Sequence, residues 1–133
     1  LLCSYYVFLC INVQPVTRFY TLSLHDALPI SKIGASWEGF ALEEVIRFLD
    51  VDNDDCYYWG VNNQAELDLL VFKNGQQHAF EFKYSDSPKA TKSMYTALDY
   101  LGLEKINVIV PGNIKFKLDN NIDVISLNNY ISL

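Results

Sequence analysis

Residues 74 and 75 are Asn-Gly, set between the runs AELDLLVFK and QQHAFEF, and this dipeptide restricts the fold of the 133-residue chain more sharply than any other feature. Both residues tolerate positive φ, which a two-residue turn between paired, right-twisted strands requires. The flanking runs are therefore expected to be strands, Glu66 to Phe72 and Gln77 to Tyr84, closed into a hairpin. With a two-residue loop, Lys73 faces Gln76, and each outward step pairs the next two residues. Asp68 then lies opposite Glu81, and Glu66 opposite Lys83. Residues two apart share a face, so Glu66, Asp68, Glu81 and Lys83 are expected on one side of the hairpin. The other side carries Leu67, Leu69, Val71, Phe80 and Phe82, an apolar surface for a helix to cover. His78 faces Val71 there and reads as a packed or edge residue rather than a catalyst.

The rest of the chain supplies the helices and further strands. SWEGFALEEVIRFL places Trp37, Phe40, Ala41, Val45 and Phe48 near helical spacing, widened by Leu42, Ile46 and Leu49, with Ser36 as N-cap and the polar VDNDD as its end. Cys56 to Val61 reads as a strand. Pro88 opens a second helical run that Gly102 closes. INVIV and IDVISL are two further strands, giving the order α-β-β-β-α-β-β in one α/β domain. Half the residues are apolar, including nine Tyr, eight Phe and two Trp, so a core can form, and Trp37 and Trp59 are expected to join it. The net charge of -6 and pI near 4.7 argue against a tight, non-specific duplex binder, which needs clustered Lys and Arg. Cys3, Cys10 and Cys56 lack metal or disulfide spacing, and a reducing, cytoplasmic setting is expected.

Leu1 to Ile11 is similar to the apolar part of a signal peptide, but no basic segment precedes it and it is too short to span a bilayer. YTLSLHDALPI, residues 20–30, resembles the translation of a sequencing adapter. Leu1 to Ser31 is accordingly read as foreign or out of frame, His25 and Asp26 with it, and Lys32 to Leu133 as the domain. The first residue is not Met and Met94 is the only one, so the true start is expected upstream.

Directly opposed side chains in an antiparallel pair have Cβ atoms roughly 4.5–5.5 Å apart. Asp68 and Glu81 would repel at that distance unless a proton, a cationic side chain or a metal intervenes, and hard divalent ions take carboxylate oxygens readily. Lys83 supplies one adjacent positive charge. Glu38 shares a helix face with Leu42, Val45 and Leu49, so it points partly inward and needs a partner; the hairpin cluster could supply it, gathering Glu38, Asp68 and Glu81 around one metal ion with Lys83 beside it. An ordinary cross-strand ion-pair cluster accounts for the same residues without any chemistry. Lys89 and Lys92, at the second helix, are secondary candidates for phosphate contact, and a solvated helical face is the more ordinary account of them.

GASWEGFALEEVI, AELDLLVF and FEFKY together resemble the PD-(D/E)XK nuclease-like superfamily, in which two acids and an E-x-K triplet build a metal site. Lys32 to Leu133 is more closely similar to the uncharacterised C-terminal domain that follows the P-loop module in predicted prokaryotic AAA-type ATPases. The resemblance implies a restriction-endonuclease-like three-layer core with a mixed sheet, Glu38 as helix acid, Asp68 and Glu81 as strand acids and Lys83 as the lysine. It implies Mg²⁺ held by Asp68 and Glu81, with Glu38 beside them, and phosphodiester hydrolysis on nucleic acid, or else a non-catalytic regulatory domain appended to an ATPase. No Pro precedes Asp68, a departure from the motif. Nothing in Lys32 to Leu133 matches GxxxxGK[ST], so any ATP binding belongs to an upstream domain.

Overall fold

The computed structural model describes residues 9–10, 30–61 and 65–132. Its elements follow as β1 (Leu9–Cys10), α1 (Ile30–Leu49), a 3-10 turn (Asn53–Asp55), β2 (Cys56–Val61), β3 (Ala65–Lys73), β4 (Gln76–Phe82), α2 (Lys92–Leu101), β5 (Ile106–Val110), β6 (Lys115–Asp119), β7 (Ile122–Ser126) and α3 (Leu127–Tyr130). The strands form one mixed sheet in the order β1-β2-β3-β4-β5-β7-β6. The central β4-β5 and β5-β7 pairs are parallel and the others antiparallel. The expected α/β class and mixed sheet are therefore observed. His25 and Asp26 lie outside the described residues.

The Asn74-Gly75 turn forms with φ of 52° and 76°, both left-handed, and the hairpin register runs as counted from Lys73↔Gln76 to Leu69↔Phe80. Beyond that pair the count meets an irregularity on the other edge of β3. Tyr57 pairs with Leu70, but Trp59 pairs with Leu67, so two β3 residues, Asp68 and Leu69, oppose the single residue Tyr58. This is a β-bulge, and it shifts the pleat of β3 by one residue. Leu69, Val71, Phe80 and Phe82 pack in the apolar layer beneath α1, as expected. Leu67 does not join them: it lies in the other layer, beneath α2, with Ala65, Leu70 and Trp59.

Helix α1 begins at Ile30, six residues before the expected cap, so Ser36 is inside it. Its inward face is Ala41, Val45 and Leu49, with Trp37, Leu42 and Ile46 partly buried beside them. Phe40 and Phe48, expected in the same stripe, are exposed. The Lys73 ammonium donates to the Leu49 carbonyl, so a hairpin residue satisfies an orphan acceptor at the end of α1. Helix α2 starts later than Pro88 suggests. Thr91 caps it, its Oγ1 accepting from the Met94 N–H at 3.3 Å, and Gly102 ends it at φ 61°. Lys89 therefore precedes the helix and Lys92 is its first residue. Thr91→Ala should cost about 1 kcal/mol, the usual value of a lost hydroxyl cap. Urea unfolding of the two chains measures it, and an unchanged midpoint would show that the cap is immaterial.

Candidate functional site

The bulge determines how the strand acids meet. In a two-residue hairpin, hydrogen-bonded pairs recur at every second step from the turn, so an unbroken ladder would join the Phe82 N–H to the Leu67 carbonyl. Where the ladder stops, the Asp68 carboxylate takes that bond: the Phe82 N–H donates to Asp68 Oδ2 at 2.9 Å. Asp68 is thereby pinned to the end of β4 beside Glu81, which is only 3% exposed. The next strand holds this end of β4 as well, through the Lys83 N–H bonded to the Ile109 carbonyl at 3.0 Å.

Glu81, Asp68 and Lys83 form one electrostatic unit. Burial first, and repulsion from Asp68 second, raise the Glu81 pKa to about 8, against the opposing pull of Lys83. Asp68 and Glu81 are close enough for the charge of one to raise the pKa of the other, so protonation of Glu81 relieves the pair. Lys83 Nζ lies 3.1 Å from Glu81 Oε2. Burial works against the charge on Lys83, but the carboxylates of Glu81 and Asp68 outweigh it and hold the ammonium above its ordinary pKa.

Glu38 and Glu66 take other partners. Glu38 accepts a hydrogen bond from the Tyr84 N–H at 3.1 Å, and Trp37 lies 5.8 Å from the Tyr84 ring, so α1 holds the residue that follows Lys83. Glu38 still adds to the field that keeps Lys83 charged. Glu66 is not drawn to Lys83. It pairs with Gly60, accepts from the Tyr58 hydroxyl at 2.9 Å, and exchanges two backbone bonds with the Ser93 hydroxyl of α2. Among the described residues, no three His, Cys, Asp or Glu side chains converge closely enough to enclose a metal ion. The structure thus brings Asp68, Glu81 and Lys83 together, with Glu38 one residue beyond and Glu66 turned to Tyr58. Lys92 begins the helix whose next residue, Ser93, touches Glu66. His78 pairs with Val71 as counted and lies nearer the turn.

Tyr58 is the site residue that the sequence reading missed. Burial, then its bond to Glu66 and the charges of Glu66, Asp68 and Glu81, raise its pKa. A Cβ at position 60 would stand 3.2 Å from that hydroxyl and 3.1 Å from the ring, so Gly60 is what lets Tyr58 lie over β2. The alternation Cys56, Tyr58, Gly60 within an aromatic strand was the available signal. It points to this position only when Glu66 is known to pair with Gly60.

An α/β domain with a bulged hairpin that gathers two carboxyl groups and a lysine is the class the fold and site define. The chain belongs to the family described as a domain of unknown function (DUF4143), which it matches over residues 33–130. It is 36% identical over 104 residues to an uncharacterised protein of Mycobacterium bovis and, to the same extent, to one of Mycobacterium tuberculosis. Those matches cover 76% of this chain and 23% of each relative, so the chain spans about a quarter of their length. No solved structure matches it. Among the described residues, no helix is long and apolar enough to cross a membrane.

Proposed function

We propose that the domain is a PD-(D/E)XK nuclease-like module, attached to an ATPase domain in a longer protein, and that Asp68 and Glu81 bind a divalent cation such as Mg²⁺ for phosphodiester hydrolysis. One observation carries this reading: a carboxyl group that is 3% exposed stands against the charge of a second carboxylate while an ammonium stands 3.1 Å away. Strong pKa perturbation of converging groups is the physical mark of a site built for chemistry. The donor set fits a hard cation held by two carboxylates, with the remaining positions left to water and substrate oxygens.

Asp68 would contribute the oxygen that Phe82 does not occupy, and Glu81 would bind after losing its proton. The cation would supply charge neutralisation at the phosphoryl oxygens and lower the pKa of a water. Lys83 would hold an anionic oxygen or the attacking water with its ammonium. Glu38, bonded at Tyr84, would keep the segment after Lys83 in place, and Lys92 would face the nucleic-acid backbone. The overall charge of -6, together with only two convergent acids, favours as a second reading a non-catalytic interaction domain of the same ATPase.

Calorimetric titration with Mg²⁺ and Mn²⁺, paired with cleavage of single-stranded and duplex DNA, tests the proposal. The parent chain should bind the cation and cut, Asp68→Ala should lose both properties, and Lys83→Ala should retain binding while losing cleavage. Equal Mg²⁺ binding by the parent and Asp68→Ala would refute the site. Binding without cleavage would select the second reading.

A further inference from the structure

The sheet ends differently at its two edges. Strand β6 carries Lys115 and Lys117, both exposed, and its pairing with β7 is irregular between Lys117 and Asp119. Edge lysines and bulges are the ordinary means by which a strand discourages another from adding to it. Strand β2, toward the other edge, reads CYYWGV and has neither a charged residue nor a proline, and the bulge beside it belongs to β3. Tyr57, Tyr58, Gly60 and Val61 are partly exposed, so an approaching chain can reach this strand.

A backbone is already paired there. Strand β1 runs antiparallel along β2, with Leu9 opposite Tyr58 and Cys10 opposite Tyr57. The family match begins at residue 33, so this short strand comes from outside the domain. Among the described residues, it faces two of the six β2 residues, and no strand lies beyond Trp59, Gly60 and Val61. The β2 edge thus accepts an extended backbone in a defined direction, the mode by which an open sheet edge recognises a peptide. Direction determines the charge such a strand meets. Laid as β1 is, it passes Tyr57 and Cys56 and brings its C-terminal end to the exposed Asp55 and Asp54 of the 3-10 turn. On the α2 side its residues lie beside Tyr57, Trp59 and Val61, so apolar side chains there would extend the layer beneath α2.

We infer that the β2 edge docks an extended segment of a partner protein, in which apolar and polar residues alternate and Lys or Arg stands at the C-terminal end. The ladder holds the backbone, the row Tyr57, Trp59 and Val61 takes the apolar side chains, and Asp54 and Asp55 meet the basic end. The inference uses neither the acid pair nor Lys83, and so stands apart from the cation site. Fluorescence anisotropy of the full chain at low salt tests it, with a labelled synthetic peptide of alternating valine and threonine ending in two lysines. The same peptide N-methylated at alternate residues, and one ending in two glutamates, serve as comparisons. The lysine peptide should bind saturably, and the N-methylated form about tenfold or more weaker, because it cannot complete the ladder. The glutamate peptide should also bind about tenfold weaker. Joint Asp54→Lys and Asp55→Lys substitution, at exposed positions outside the core, should invert the preference between the two charged ends. Hydrogen exchange should slow in β2 on binding and stay unchanged in β6. Absence of saturable binding, equal affinity for the N-methylated peptide, an unaltered preference in the double variant, or unchanged exchange in β2 each overturns the inference. So does a chain that sedimentation shows to be a dimer that the peptide fails to dissociate, since a second copy would then hold the edge.

Discussion

Phe80→Ala should remove about 3–5 kcal/mol of stability, a large part of what a domain of this size possesses. Phe80 is fully buried in the centre of the α1-side layer. Its ring stacks on Phe82 at 6.5 Å and receives the edge of Tyr130 at 5.4 Å, so truncation opens a cavity bounded by rigid aromatic groups that cannot collapse into it. Tyr130 also meets Phe48, and the loss would therefore loosen α3 and the end of α1 together. Urea unfolding followed by far-ultraviolet circular dichroism should show a large drop in midpoint or a chain already unfolded in buffer. A change within about 1 kcal/mol would mean that the layer repacks, contrary to the geometry described.

Glu81→Gln should remove a pH dependence. In the native chain Glu81 keeps its proton up to about pH 8, whereas in the unfolded chain it releases it near the ordinary value of 4.5. Between those values the native state holds more protons than the unfolded state, so stability falls as pH rises through the window and levels off above it. Each unit of difference corresponds to about 1.4 kcal/mol, and the total amounts to a few kcal/mol once the attraction of Lys83 is set against burial. Glutamine has the same shape and no charge to desolvate. In metal-free buffer the variant should match the parent near pH 5 and exceed it in stability at pH 9. A stability difference that stays constant from pH 5 to pH 9 would show that Glu81 is not buried as described.

The hairpin was legible because turn chemistry is local. Asn74 and Gly75 alone determine which residues oppose one another as far as Leu69 and Phe80. The adjacency of Glu81 and Lys83 needed no more than strand alternation. The bulge at Asp68 was not legible, because it arises from pairing with β2, a strand joined through a separate loop. The pleat on that edge consequently assigned Leu67 to the wrong layer and Glu66 to the wrong partner. Strand β6, KFKLD, escaped notice for a different reason: it is an edge strand exposed at most positions, so burial left no alternation of apolar residues to read. Pro88 misled because Pro is common both at first helical turns and in the loops before them, and the hydroxyl of Thr91 decided between the two.

The extra residue in β3 also has a bearing on how such a domain can change over generations. The odd-numbered residues of that ribbon enter one oily compartment before the extra residue and the other after it, and the hand-over takes place within two positions. Loss of a single codon there would restore strict up-and-down alternation and exchange which compartment Ala65 and Leu67 enter, while the turn at Asn74-Gly75 stayed untouched. Length variation is therefore tolerable in the loops at either end of this ribbon and ruinous in its middle, where one inserted amino acid keeps both halves in phase with their surroundings.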